Sequence, residues 1–362
     1  MKKGLAIAGI IGFALIGRVA ILTFTKAQST PDYQHIFVII EENHSFKDII
    51  GNPAAPNITQ LAQRYGLATK SFAQAHPSEP NYIALLGGST FNITDDDAFF
   101  CYAGNMDKNC SHSKLKGYPD HTIVGRSLVD QLTENGLTWK GYFESIPAPA
   151  SQDPFSSETV DEPAQLYASK HNGFMSFIAV QKDPKLGTKI VGFDSLKADL
   201  ASGNMPNYAH IVPNQCNDMH GLAGEKVPKD CLFSNDTGLI ARGDSVVGQL
   251  VGLIQSSPLW SKPEKAAIVI TWDEDNGNNH DDPATQDCCG FDRNDPATAG
   301  GGHIATIVIT NHGPPGVVDD TPYNHYSLLR TVEDAFGISE HLRGADDSAK
   351  GVQSMRKLFG MR

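Results

Sequence analysis

Three polar stretches of this chain carry residue types that do chemistry together. Glu41-Glu42-Asn43-His44-Ser45-Phe46 directly follows the apolar run His35-Ile36-Phe37-Val38-Ile39-Ile40. His76-Pro77-Ser78-Glu79-Pro80-Asn81-Tyr82 is a proline-bracketed turn with a serine at its centre. Thr271-Trp272-Asp273-Glu274-Asp275 ends a further apolar run, Ala267-Ile268-Val269-Ile270. Carboxylates and an amide are oxygen donors for a hard cation, and a hydroxyl held by such a cation is a nucleophile. The combination points to metal-assisted attack on a phosphate ester.

The elements that position these groups are strands. Apolar runs of strand length recur at 35–40, 138–143, 188–193, 207–212, 266–272 and 304–310. Several are nearly continuous, the pattern of strands covered on both faces in a mostly parallel sheet. Helical spacing is read at 58–65, 125–135, 237–255 and 326–336, the last ending at Gly337. Alternating strands and helices predict a layered α/β domain. In open α/β sheets ligands bind beyond the carboxyl ends of the strands, where Glu42, Asn43, Asp273 and Glu274 all fall. Asn and Asp also shape turns and cap helices after strands, so one such pair alone would be ambiguous; two pairs favour a metal. Pro80 suits the first turn of a helix running through 82–86. Ser78 is then either a cap or, at the positive end of that helix, a nucleophile beside a phosphate cradle. Asn81 is placed to donate to a phosphoryl oxygen, and His220, in 207–221, to the phosphate or to a leaving oxygen. His303 precedes the run 304–310 and is expected at the opposite strand end; His325 is read as a helix cap. His44 and His76 lie near the proposed centre without an assigned role.

The formal net charge of −12 argues against a nucleic-acid partner. It leaves room for an anionic substrate, because a bound cation reverses the field locally. Met1-Lys2-Lys3 followed by an apolar stretch to Ile16 reads as a secretory signal, with a cleavage site near 25–27; residues 1–29 are assigned to a signal peptide or, alternatively, an N-terminal anchor, and 30–362 to one domain. The expected location is periplasmic or extracellular. Six cysteines agree with an oxidising compartment. Cys101/Cys110 and Cys216/Cys231 each bracket a loop, and Cys288-Cys289 are adjacent; structural zinc is disfavoured for want of a C-x-x-C pattern. Sequons stand at Asn57, Asn92, Asn109 and Asn235. The loops 145–163 and 275–302 are long and polar, and the second is expected to form a rim over the site.

Taken together, Glu42-Asn43-His44-Ser45-Phe46, His76 to Tyr82, Cys216-Asn217-Asp218-Met219-His220, Thr271 to Asp275 and Tyr323-Asn324-His325-Tyr326-Ser327-Leu328-Leu329-Arg330 resemble the secreted bacterial phosphoesterases of the alkaline phosphatase superfamily. That family includes acid phosphatases and phospholipases C. The resemblance implies an α/β/α sandwich around a mostly parallel mixed sheet and a covalent phosphoserine step. It makes Glu42, Asn43, Asp273 and Glu274 metal ligands and Ser78 the metal-bound nucleophile, with Asn81 and His220 near the phosphate. His44 in place of an arginine, and serine in place of threonine, lean toward the acid phosphatase branch. The expected activity is a secreted, metal-dependent phosphomonoesterase on a small-molecule or lipid phosphate ester, phosphoinositides included. The alternatives are a phospholipase C type phosphodiesterase and a non-catalytic binder of a phosphate ligand. All-oxygen ligation suits Ca, Mg or Mn, and added histidine would favour Zn or iron.

Overall fold

The structure is a computed structural model and describes residues 31–155, 166–277 and 300–361. The proposed signal segment, the adjacent Cys288-Cys289 and most of the expected rim loop lie outside the described residues.

The strands are β1 (His35–Glu41), β2 (Gly66–Phe72), β3 (Trp139–Phe143), β4 (Ile190–Val191), β5 (Tyr208–Val212), β6 (Ala266–Trp272), β7 (His303–Thr310), β8 (Val318–Asp319) and β9 (Tyr323–Asn324). They form one sheet in the order β4-β3-β5-β1-β6-β7-β2-β8, with β9 also on β2. The left half is parallel: β1 pairs in parallel with both β5 and β6. Strand β7 is antiparallel to β6 and β2.

The continuous apolar runs are explained by cover on both faces. On β1, Ile36, Val38 and Ile40 enter one core, while Phe37 and Ile39 enter the other. Helices Ser78–Gly87 and His325–Ala335 cover the first face through Tyr82, Ile83, Leu86, Leu328 and Val332. Helix Asp236–Gln255 covers the second through Ile240, Val247, Val251 and Ile254. The result is the expected three-layer α/β/α arrangement around a mostly parallel mixed sheet. Ile39 is fully buried, and truncating such a side chain to alanine costs about 2–5 kcal/mol.

Three expectations change. The run 188–193 contributes only two strand residues, because a 3₁₀ turn (Leu186–Thr188) precedes it and helix Phe193–Ser202 follows at once. His303 is not at the far edge: β7 runs antiparallel, so its first residue lies at the carboxyl edge of β6. The cap of helix His325–Ala335 is Asn324, which accepts from Ser327 N–H at 3.0 Å; His325 is the first helical residue.

Candidate active site

Strands β5, β1 and β6 are adjacent and parallel, so the residues after them meet in one place. Backbone bonds set the register of these turns: Glu42 N–H donates to Asp218 O at 2.7 Å, and Asp273 N–H to Glu41 O at 2.9 Å. Asn43 adopts a left-handed backbone (φ 52°), which asparagine tolerates, and its N–H donates to Asp273 Oδ1 at 3.1 Å. From the other direction comes helix Ser78–Gly87, with Ser78 in its first turn. The Ser78 hydroxyl lies 3.2 Å from Glu42 Oε2 and 3.3 Å from Glu274 Oε1. Four predicted residues, Glu42, Ser78, Asp273 and Glu274, thus come together with the Asn43 backbone; all four side chains named are buried.

Asn81 lies one turn after the serine. Its amide oxygen accepts from Gln74 and Ala75 N–H, and its NH₂ donates to Ala75 and Pro77 carbonyls at 2.7 and 3.2 Å. In this structure the side chain braces the turn that delivers Ser78. His220 lies beside the cluster. Its Nδ1 donates to Gly221 O at 2.7 Å, which leaves Nε2 as a lone pair 3.4 Å from Lys170 Nζ. Burial, reinforced by Lys170, pushes its pKa down to about 4. A neutral imidazole with its lone pair turned inward is suited to act as a ligand or acceptor.

Several residues escaped the sequence reading. Asp218, after β5, completes the carboxylate ring. His171 lies on a 3₁₀ turn (Ser169–His171), stacks on Tyr82 with centroids 5.3 Å apart, and sits 3.2 Å from Glu42 Oε1 and 3.4 Å from Asp218 Oδ2. Tyr82 O–H donates to Glu42 Oε1 at 2.6 Å. Lys170 pairs with Asp96 at 2.8 Å, and Asp96 also accepts from Glu79 N–H at the start of the serine's helix. The signal available was the polar run Ser169-Lys170-His171-Asn172 set between Tyr167 and Phe174, which no periodicity singles out.

The remaining histidines support the shell. His44 Nδ1 donates to Glu42 O at 2.9 Å. His76 bridges Glu274 at 2.5 Å and Asp275 at 3.4 Å. Burial opposes its charge, but those two carboxylates hold its pKa up to about 10. His303 stacks on Phe46 and Phe72 and donates to Thr69 O. His325 donates to Trp272 O at 3.0 Å, bracing the residue before Asp273.

The electrostatics ask for a cation. Burial, then Asp273 and Asp218, pushes the Glu42 carboxyl well above its usual range. Burial likewise raises Asp218, Asp273 and Glu274. Asp218 Oδ2 and Asp273 Oδ2 are buried and have no hydrogen-bond partner. One serine proton cannot satisfy two carboxylates, which lie at 3.2 and 3.3 Å from its oxygen. Glu42, His171 and His220 offer donor atoms within 4.8 Å of one another. This donor set fits a divalent metal ion, which would return the carboxylates to their ionised forms. Asp95, Asp97 and His112 form a second such group, but Asp97 already accepts from Ser111, His112 and Tyr118. Among the described residues two disulfides, Cys101–Cys110 and Cys216–Cys231, close the loops these cysteines bracket and fit an oxidising compartment. Among the described residues no helix is long and apolar enough to cross a membrane.

With this geometry in view, comparison with known proteins is informative. The chain is 28% identical over 340 residues to a phosphatidylinositol-3-phosphatase of Mycobacterium tuberculosis, covering 93% of this chain and 89% of that protein. It is 25% identical to an acid phosphatase of Aspergillus fumigatus over 84% of this chain and 55% of that one. It is 24% identical to non-specific phospholipase C1 of Arabidopsis thaliana over 85% of this chain and 50% of that one. The chain therefore spans only about half the length of those two relatives. Among solved structures, an alkaline phosphatase superfamily protein of Vibrio parahaemolyticus matches with TM-score 0.50 at 12% identity over 88% of this chain and 70% of that one. A sulfatase from Pseudoalteromonas sp. matches with TM-score 0.52 at 14% identity over 91% and 72%. These likenesses show the fold. The model of the Phosphoesterase family matches residues 52–339, most of the chain, and this protein belongs to that family.

Proposed function

We propose that this protein is an exported phosphomonoesterase that works through Ser78. The observation that carries the reading is the Ser78 hydroxyl held between Glu42 and Glu274, at the end of a helix whose N-terminus faces the site. Glu42, Asn43, Asp218, Asp273 and Glu274, with His171 and His220, would hold the metal. Nitrogen donors beside carboxylates move the preference from Ca or Mg toward Mn, Zn or iron. A bound divalent ion supplies charge to lower the serine pKa and to polarise a phosphoryl oxygen.

The chain's own residues do the rest. Ser78 Oγ attacks phosphorus as the ester P–O bond breaks; its proton passes to a neighbouring carboxylate and from there, through water, to the departing oxygen, which leaves as the alcohol. The Lys170 ammonium, kept charged by Asp96 and Glu42 against its burial, opposes negative charge on the phosphoryl oxygens. Asn81 fixes the 74–77 turn so that the serine does not drift, and Tyr82 fixes the Glu42 carboxylate. Water then cleaves phosphoserine to phosphate and regenerates the hydroxyl. The names of the bacterial and fungal relatives support monoester over diester cleavage.

The test is turnover of phosphomonoesters and phosphodiesters by wild type and Ser78→Ala, with and without chelator, alongside elemental analysis. Ser78→Ala is expected to lose about 10³-fold or more in kcat while keeping its circular dichroism spectrum. Near-normal turnover by the variant, or diester cleavage alone by wild type, would overturn the reading.

A further inference from the structure

A cavity of about 350 Å³ opens beside the carboxylate cluster. Asn43, Glu274 and His220 line it, and Glu274 Oε1 lies 3.3 Å from the Ser78 hydroxyl, so the cavity adjoins the atoms around Ser78. One wall is apolar: Met219, Leu239 and Phe233. Met219 and Leu239 are buried, whereas Phe233 is 61% exposed. Its ring lies 6.3 Å from that of His220, so the apolar wall continues to the site itself.

Phe233 is also held stiffly. Its N–H donates to Leu222 O at 2.9 Å, and Leu222 N–H donates to Cys231 O at 2.8 Å, within the loop closed by Cys216–Cys231. Gly221 has φ 82°, and a Cβ there would stand 2.9 Å from Phe233 Cα. The backbones are thus pressed together at a point where only glycine fits. The backbone that carries Phe233 is thus held, and the ring it presents to the cavity offers an open face for stacking. The charges around it are mostly negative. Glu274, Asp275 and Asp236 line the cavity; His76, the cation among the described lining residues, is paired with Glu274 and Asp275, and no lysine or arginine lines it among the described residues. A second phosphate on the substrate would meet carboxylates there.

We infer that this cavity takes the leaving alcohol and that Phe233 is its specificity wall, selecting monophosphate esters of flat apolar alcohols, a phenol being the simplest. The inference rests on the phosphomonoesterase reading and narrows its substrate class. Attack by Ser78 places the departing oxygen on the side of phosphorus away from the serine, and an aryl group on that oxygen would stack on Phe233.

The test compares phenyl phosphate with 2-naphthyl phosphate, whose leaving groups have similar acidity, so a difference in kcat/KM reports contact rather than intrinsic reactivity. Wild type is expected to prefer the naphthyl ester roughly tenfold, mainly through KM. Phe233→Ala should bring that ratio close to one, and Phe233→Trp should keep it. Fructose 1,6-bisphosphate should be a poor substrate, and Asp236→Asn should improve it by a few-fold. Hydrolysis of both aryl esters at equal kcat/KM by wild type would overturn the pocket and leave the phosphatase reading intact. So would an unchanged ratio in Phe233→Ala. Hydrolysis of neither ester, nor of any other phosphomonoester, would overturn the phosphatase reading itself. The wild-type ester series decides the matter even if the alanine variant does not fold.

Discussion

The Ser78 hydroxyl lies 3.2 Å from Glu42 Oε2, joining the first turn of a helix to the turn that ends the central strand of the sheet. That distance brings together two residues which, taken apart, would be a helix-terminal serine and a turn carboxylate, and it underlies the proposal of a nucleophile beside a metal ligand. Asp273 and Glu274 arrive because β6 is the parallel neighbour of β1.

Tyr82→Phe tests how the ligands are oriented. The Tyr82 O–H holds Glu42 Oε1 at 2.6 Å, and His171 stacks on the same ring. Losing the hydroxyl frees the carboxylate to rotate without opening a cavity. Metal affinity, measured by competition with a chelator, is expected to fall about 10–100-fold, with thermal stability nearly unchanged.

Replacing both Cys216 and Cys231 by serine tests the platform that carries Phe233. The bridge closes a loop with a sequence separation of 15 residues, for which the chain-entropy model gives about 3 kcal/mol. Urea unfolding should show a loss of that order. The same variant should also lose preference among aryl esters, because Phe233 is no longer held.

Glu333 sets a pH dependence of stability away from the site. Burial pushes its carboxyl up to about 7 from the usual 4.5, and its Oε1 accepts from Leu342 N–H at 2.9 Å. Between those values the unfolded chain has released its proton while the folded chain keeps it. The contribution is therefore whole below about pH 4.5 and is lost as pH rises through about 7. Glu333→Gln keeps the acceptor without the titration. Relative to wild type it should gain about 2–3 kcal/mol of stability between pH 4.5 and pH 8, read from denaturant midpoints. A difference that is flat with pH would contradict the assignment.

The sequence made the centre of the fold legible because β1 and β6 are covered on both faces and read as unbroken apolar runs. It left β2 hidden: Gly66-Leu67-Ala68-Thr69-Lys70-Ser71-Phe72 carries small and polar residues, although only Lys70 is exposed. Helix Ser78–Gly87 is buried along its whole length, so it shows no amphipathic stripe, and only Pro80 marked its start. The polar pairs after strands were readable because topology forces parallel strand ends together. His171 and Lys170 were not, because a 3₁₀ turn has no period to read and their partners lie far along the chain. The backbone partners of Asn81 were hidden for a related reason. Its place one turn after the serine says where its Cα lies, but not that four backbone groups claim its amide.

The central claim is that the Ser78 oxygen itself takes the phosphoryl group. Mixing the metal-loaded protein with an aryl phosphate, quenching in acid within one turnover and mapping the digest by mass spectrometry tests it directly. The account predicts phosphate on the peptide containing Ser78, and on no other. Full turnover with that peptide unmodified at every quench time, matched by undiminished turnover in Ser78→Ala, would contradict it.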